Sequence, residues 1–186
     1  IQRGSVCVPE SHDPTPPRRP ALAGAPESNE LIRERTGLSI QRLYAPTGGF
    51  TGDIGLTLPA EANRASLNGG LHALWLAPGE WLLVGEAPES VAKATANAVA
   101  AGGALTDLSH ARTVFRIPIE AAPEILAKGC SLDLRDDIFP PGSCAQSVLA
   151  NVAILLHHLA NGDHMDLYAA RSYGRFMHDW LLDAAG

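Results

Sequence analysis

Aromatic side chains are scarce in this sequence, 5% of 186 residues, and methionine occurs only twice. Cysteine occurs three times, as Cys7, Cys130 and Cys144. An odd number without a Cys-x-x-Cys pair excludes a disulfide framework and lacks the ligand spacing of a structural zinc site, so a reducing compartment is expected. Basic residues are outnumbered by acidic ones, 14 to 20, giving a formal charge of -6. That balance leaves no chain-wide basic footprint for nucleic acid. No run of 18 apolar residues exists, which excludes a transmembrane helix. The chain opens Ile1-Gln2-Arg3 with no charged segment leading an apolar stretch. No signal peptide is visible, and a cytoplasmic location is expected.

What is present is a globular composition, 46% hydrophobic and 18% charged. Residues 9 to 26 hold six of the fourteen prolines. Proline fixes φ and lacks a donor, so this stretch is read as a proline-rich N-terminal arm over residues 1–30 whose few large apolar residues do not reach the core. It is either a flexible leader or a strap lying on another subunit. Residues 31–186 then form one α+β domain. Strands are expected at Leu38–Tyr44 and Ile54–Leu58. Leu71–Leu76 and Trp81–Val84, joined by Pro78-Gly79, read as a hairpin. Pro88 opens an alanine-rich helix that Gly102-Gly103 follows. Strands near Ala104–Leu108 and Thr113–Ile117, a short helix over Glu124–Lys128 stopped by Gly129, and extended segments at Ala145–Leu149, Val152–Leu159 and Met165–Ala170 complete the order. From Trp81 this is strand, helix, strand, strand, helix, strand, a ferredoxin-like split βαβ core with additional antiparallel strands. At the end of the chain, Tyr173, Phe176, Met177, Trp180 and Leu181 form one helical stripe, with Ser172 as N-cap and Arg175, His178, Asp179 and Asp183 on the remaining face.

Each chemical motif has a plainer reading. The Gly48-Gly49 loop lacks the Gly-Lys-Ser/Thr ending of a phosphate loop and precedes a strand. Asp107-Leu108-Ser109-His110 holds the residue types of a hydrolytic triad, but a triad needs separate elements in space and these are turn formers. His157 and His158 point to opposite faces of a strand and cannot share an ion, and late histidines, His164 and His178 included, read as surface or interface groups. Asp136 and Asp137 lie in a solvated loop beside Arg135. Trp75 and Trp81 pack across the hairpin. No catalytic, cofactor-binding or metal site emerges. Trp75, Trp81, Tyr173 and Trp180 are candidate interface residues.

The segment Asp107 to Ile117 resembles the opening strand pair of the aminomethyltransferase (glycine cleavage T-protein) family. Ile125 to Leu134, Phe139 to Ser147, Asp166-Leu167-Tyr168 and Arg171 to Leu182 narrow the match. Together they are similar to the gamma subunit family of bacterial heterotetrameric sarcosine oxidases. The resemblance implies a truncated folate-binding fold in a subunit without catalytic residues or cofactor. It implies alpha, beta and delta partner subunits holding FAD, FMN, NAD, tetrahydrofolate and zinc. It implies a complex that demethylates sarcosine to glycine, passes the one-carbon unit to tetrahydrofolate or releases formaldehyde, and forms hydrogen peroxide. Folate-using aminomethyltransferases carry an acid near the strand that here reads Asn151-Val152-Ala153-Ile154-Leu155, without a carboxylate. A free-standing folate-dependent one-carbon carrier is the alternative, as is the same subunit role in a dimethylglycine- or N-methylglutamate-oxidising complex.

Overall fold

The computed structural model describes residues 20–23, 31–45 and 53–186. Among these residues, ten strands form two five-stranded antiparallel sheets. The strands are β1 (Arg33–Glu34), β2 (Ser39–Tyr44), β3 (Ala65–Asn68), β4 (Leu71–Ala77), β5 (Glu80–Gly85), β6 (Ala104–Asp107), β7 (Arg112–Pro118), β8 (Cys144–Leu149), β9 (Val152–His158) and β10 (His164–Ala170). Helix α1 spans Pro88–Ala100, α2 Ala122–Ala127 and α3 Gly174–Ala185, the last preceded by a 3₁₀ turn at Arg171–Tyr173.

One sheet runs β3-β4-β5-β2-β6 and the other β1-β7-β10-β9-β8. They stack face to face, because strand alternation gives each sheet two apolar faces. Leu43, Ala73 and Leu83 pack outward against Val91, Ala94 and Ala98 of α1. Ile40, Leu74, Leu82 and Val84 point the other way and meet Val114, Leu155 and Tyr168 of the second sheet. The far face of that sheet buries Phe115, Ile154, Leu156 and Leu167 beneath α2 and α3, against Leu126, Met177 and Leu181. The layer order is therefore helix, sheet, sheet, helices.

The split βαβ unit is present. Strands β5 and β6, joined by α1, flank β2, and both pair antiparallel with it, so they run parallel to each other. Strand β7 does not continue this sheet. The chain turns at Leu108–Arg112 and β7 enters the second sheet, with β8 at its far edge. The β4–β5 hairpin forms at Pro78-Gly79, with Gly79 at φ 77° and Trp75 directly opposite Trp81. The expected strand at Ile54–Leu58 does not join a ladder. Ile54 is buried, and side chains of β3 satisfy this segment's backbone: Ser66 Oγ donates to the Thr57 carbonyl and Asn68 Nδ2 to that of Gly55.

The closing helix also differs. Ser172 lies in the 3₁₀ turn and makes no cap bond; Tyr173 occupies the N-cap position. The buried residues of α3 are Gly174, Met177, His178, Leu181 and Ala184, while Tyr173 and Phe176 are exposed. Two of the five stripe residues thus stay outside, and His178 is inside. Gly174 explains part of the rotation: a Cβ there would lie 2.7 Å from the Cβ of Ala21, so the helix start leaves room for the segment at 20–23.

Candidate functional site

The second sheet presents a row of polar residues to the seam between the sheets. Register places Asp166 of β10 between Arg116 of β7 and His157 of β9. Arg116 grips the carboxylate with two bonds, Nε to Oδ1 and Nη2 to Oδ2, both 2.7 Å. Arg35, just past β1, stands 4.0 Å from the same carboxylate and also pairs with Glu86 at the end of β5. Across the seam, His72 of β4 meets the His157 ring edge to face at 5.1 Å. Burial, with His72, Arg116 and His158 nearby, pushes the His157 pKa down to about 3. Burial lowers His72 as well, against the pull of Asp166. Both imidazoles are therefore neutral near pH 7, and the carboxylate is committed to Arg116. Tyr168 lies one step along, its pKa raised well above the usual phenol value by burial and by Asp166.

The bidentate arginine takes one lone-pair direction on each oxygen of the buried carboxylate and holds it charged between the sheets. Removing either member would leave an uncompensated charge between the sheets.

The remaining residues singled out in the sequence fall as follows. Asp107 Oδ1 accepts from the Ser109 amide at 2.8 Å, and Ser109 Oγ accepts from the Ile40 amide at 2.9 Å. The hydroxyl is thus built into the β2 backbone, and His110 is exposed; the motif is a turn. His157 and His158 do face opposite ways, but the surface reading of the late histidines is corrected: His157, His158 and His178 are all buried. His158 stacks on Phe139, with Nδ1 2.8 Å from the Phe139 carbonyl. A histidine on a strand scores as polar in any pattern, yet its ring packs as a flat apolar body once neutral. Asp136 and Asp137 are exposed, and Arg135 pairs with Asp133 instead. Asn151 sits with Ala150 in the two-residue turn between β8 and β9, both at positive φ. The phosphate-loop reading falls on residues outside those described. Cys130 and Cys144 are buried free thiols, and burial raises Cys144 to about 11. Cys7 lies outside the described residues. Among the described residues, no three His, Cys, Asp or Glu groups converge to hold a metal, and no helix is long and apolar enough to cross a membrane.

Of the four candidate interface residues, Trp81 is in this chain's own core, with Nε1 donating to the Pro59 carbonyl at 2.8 Å. Trp75 and Trp180 are half-buried, and Tyr173 is 49% exposed. The Trp180 ring lies over Gly129, where a Cβ would come within 2.7 Å of it. Phe176, of the same helical stripe, is 48% exposed beside Tyr173. The proline-rich segment also reaches the core at one point. Leu22 packs beneath the second sheet, and Glu34 accepts from the amides of Ala21 at 2.8 Å and Leu22 at 3.2 Å.

Two stacked antiparallel sheets with helices outside define an α+β domain of the aminomethyltransferase type. The fold matches glycine cleavage system aminomethyltransferase T from Bartonella henselae with a TM-score of 0.55, at 15% identity over 81% of this chain and 45% of that one. The sarcosine oxidase gamma subunit family matches residues 46–186, and the chain belongs to that family. It is 32% identical to the sarcosine oxidase subunit gamma of Corynebacterium sp. strain P-1 over 77% of this chain and 72% of the relative. With the subunit gamma of Corynebacterium sp. strain U-96 it shares 30% over 90% and 89%. Heterotetrameric sarcosine oxidase from Corynebacterium sp. U-96, solved with pyrrole 2-carboxylate, contains a chain that superposes with a TM-score of 0.74, at 27% identity over 83% of this chain and 82% of that one.

Proposed function

We propose that this chain is a non-catalytic structural subunit of a heterotetrameric, sarcosine-demethylating flavoenzyme. The observation that carries the reading is the aromatic pair on α3. Tyr173, at the N-cap of α3, and Phe176, in its first turn, stand half-exposed beside a helix whose other face is packed, near the partly covered Trp180. Aromatic side chains are what buried interface centres are rich in, and this sequence has few of them to leave in water. Trp75, and through its backing Trp81, would support a second contact. The proline-rich stretch up to residue 30 would act as a strap, and residues 31–186 as the domain it leaves.

The seam chemistry supports the same reading from the other side. The one deeply buried carboxylate there is occupied by arginine. Bond-making would then belong to alpha, beta and delta partners carrying FAD, FMN, NAD, tetrahydrofolate and zinc, in the cytoplasm. The complex would convert sarcosine to glycine, pass the one-carbon unit to tetrahydrofolate or release formaldehyde, and form hydrogen peroxide.

Co-expression with the flavin subunits tests this. The chain should travel with them through affinity and size-exclusion steps. A Tyr173→Asp, Phe176→Asp double variant should fold but separate from them. Retention of the double variant in the complex would remove α3 from the interface, and a wild-type chain that never associates would end the proposal.

A further inference from the structure

A hollow of ≈ 420 Å³ opens between the two sheets, beside the Asp166 network and between Arg42, Leu155 and Arg112. Its floor is a row across the second sheet: Gln146 of β8 opposite Leu155 of β9, and Leu155 opposite Tyr168 of β10. The roof comes from the first sheet, with Arg42 of β2 opposite Leu82 of β5 and Glu80 two residues from it. Arg112, the first residue of β7, closes one side. It pairs with Ala170, which puts it diagonal to Tyr168 on the same face.

The polar groups of this hollow are unevenly matched. Arg42 is paired with Glu80, and the Gln146 amide donates to the Leu76 carbonyl at 2.8 Å. The Arg112 guanidinium has no side-chain partner among the described residues, although it also borders a smaller neighbouring hollow. The Tyr168 hydroxyl bonds to no side chain among the described residues either; it opens onto the hollow, at the tip of a side chain only 2% exposed as a whole. The formal charges lining the hollow sum to +1 in a chain whose net charge is -6. Its volume is in the range of small-molecule sites, and leucines supply its apolar walls.

From this geometry we infer that the hollow is a binding site for a small organic carboxylate, with Arg112 and Tyr168 holding the anion and the Leu76, Leu82 and Leu155 walls holding an apolar body. Arginine offers a carboxylate a two-pronged, charge-assisted contact, and a phenol supplies one further donor. Tyr168 is kept protonated by its surroundings, so it donates across the whole neutral range. The site does not depend on the assembly reading, since every lining residue belongs to this chain.

The test uses the purified full chain and two probes of equal shape, 2-naphthoate and its neutral amide, titrated by calorimetry and by NMR. The acid should bind at one site and the amide at least about ten-fold more weakly, the loss expected for one charge-assisted bond. Arg112→Gln should weaken the acid by about ten- to a hundred-fold while leaving the amide unchanged. Tyr168→Phe should weaken the acid by a smaller factor, about three- to ten-fold. Arg175→Gln, on the exposed face of α3, should change nothing. Circular dichroism and the melting temperature verify that each variant is folded. Equal binding of acid and amide would overturn the inference. So would unchanged acid binding in folded Arg112→Gln, or no binding at tens of millimolar acid.

Discussion

His157 makes the stability of this domain depend on pH in a direction and size that can be worked out. Its pKa in the folded chain is about 3, against 6.5 for an exposed imidazole, because burial penalises its charged form. The unfolded chain therefore takes up a proton on this ring long before the folded chain does. The contribution to stability is complete above about pH 6.5 and shrinks as pH falls towards 3. Each pH unit in that window costs about 1.4 kcal/mol, so at pH 4.5 the loss should be roughly 3 kcal/mol, rising further at lower pH. Titration of other groups is superimposed on this, so the clean quantity is a difference. Urea unfolding of wild type and His157→Leu would be measured at pH 7.5 and 4.5. The wild type should lose roughly 3 kcal/mol more than the variant between the two pH values. His72, Arg116, His158, Asp166 and Cys144 around the ring are kept in both proteins. Equal losses would show that His157 is protonated readily in the folded chain, and that the seam is wet.

The Arg116–Asp166 pair should behave as a buried unit. Asp166→Ala alone should cost about 3–5 kcal/mol by denaturant unfolding, whereas Arg116→Met with Asp166→Leu should recover most of it. Gly129→Ala drives a Cβ to within 2.7 Å of the Trp180 ring and should lower stability by about 1–3 kcal/mol, relieved in part by Trp180→Leu. The Cys144 thiol, raised to about 11 and buried, should resist iodoacetamide at pH 8 in the native protein and react after denaturation. Glu34→Ala should free residues 20–23 from the domain, read as faster limited proteolysis at that segment and a loss of about 1–3 kcal/mol in denaturant unfolding, because Leu22 leaves the core and the buried Thr113 hydroxyl loses its acceptor.

Elements with their own punctuation were legible from the sequence. Pro78-Gly79 marks the β4–β5 hairpin, Pro88 and Gly102-Gly103 bracket α1, and the segments of β8, β9 and β10 stand between turns. The assignment of strands to two sheets was not. Leu82 to Gly85 and Met165 to Ala169 are buried throughout, so alternation no longer distinguishes a sheet's inner face from its outer one. β3, Ala-Ser-Leu-Asn, is a short polar edge strand that carries no pattern at all. The seam network was missed for a related reason. Asp166, Arg116 and His157 are far apart in sequence and meet only through register. Each looks like a surface group until both sheets are in place. On α3, the sequence period finds Met177 and Leu181 but not the rotation that puts His178 in and Phe176 out, because that depends on Ala21 and Leu22 arriving from the opposite end of the chain.

On the proposed function, this domain lends surface to a larger flavoenzyme and performs no chemistry itself. The most direct measurement is native mass spectrometry of the chain co-expressed with its flavin subunits, paired with a sarcosine oxidation assay on the product. The account predicts one copy of this chain in a four-subunit particle whose activity is unaltered by Asp166→Asn or Tyr168→Phe in this chain. A chain found as a free, stable monomer beside an active enzyme that lacks it, or a particle silenced by either substitution while still assembled, would contradict it.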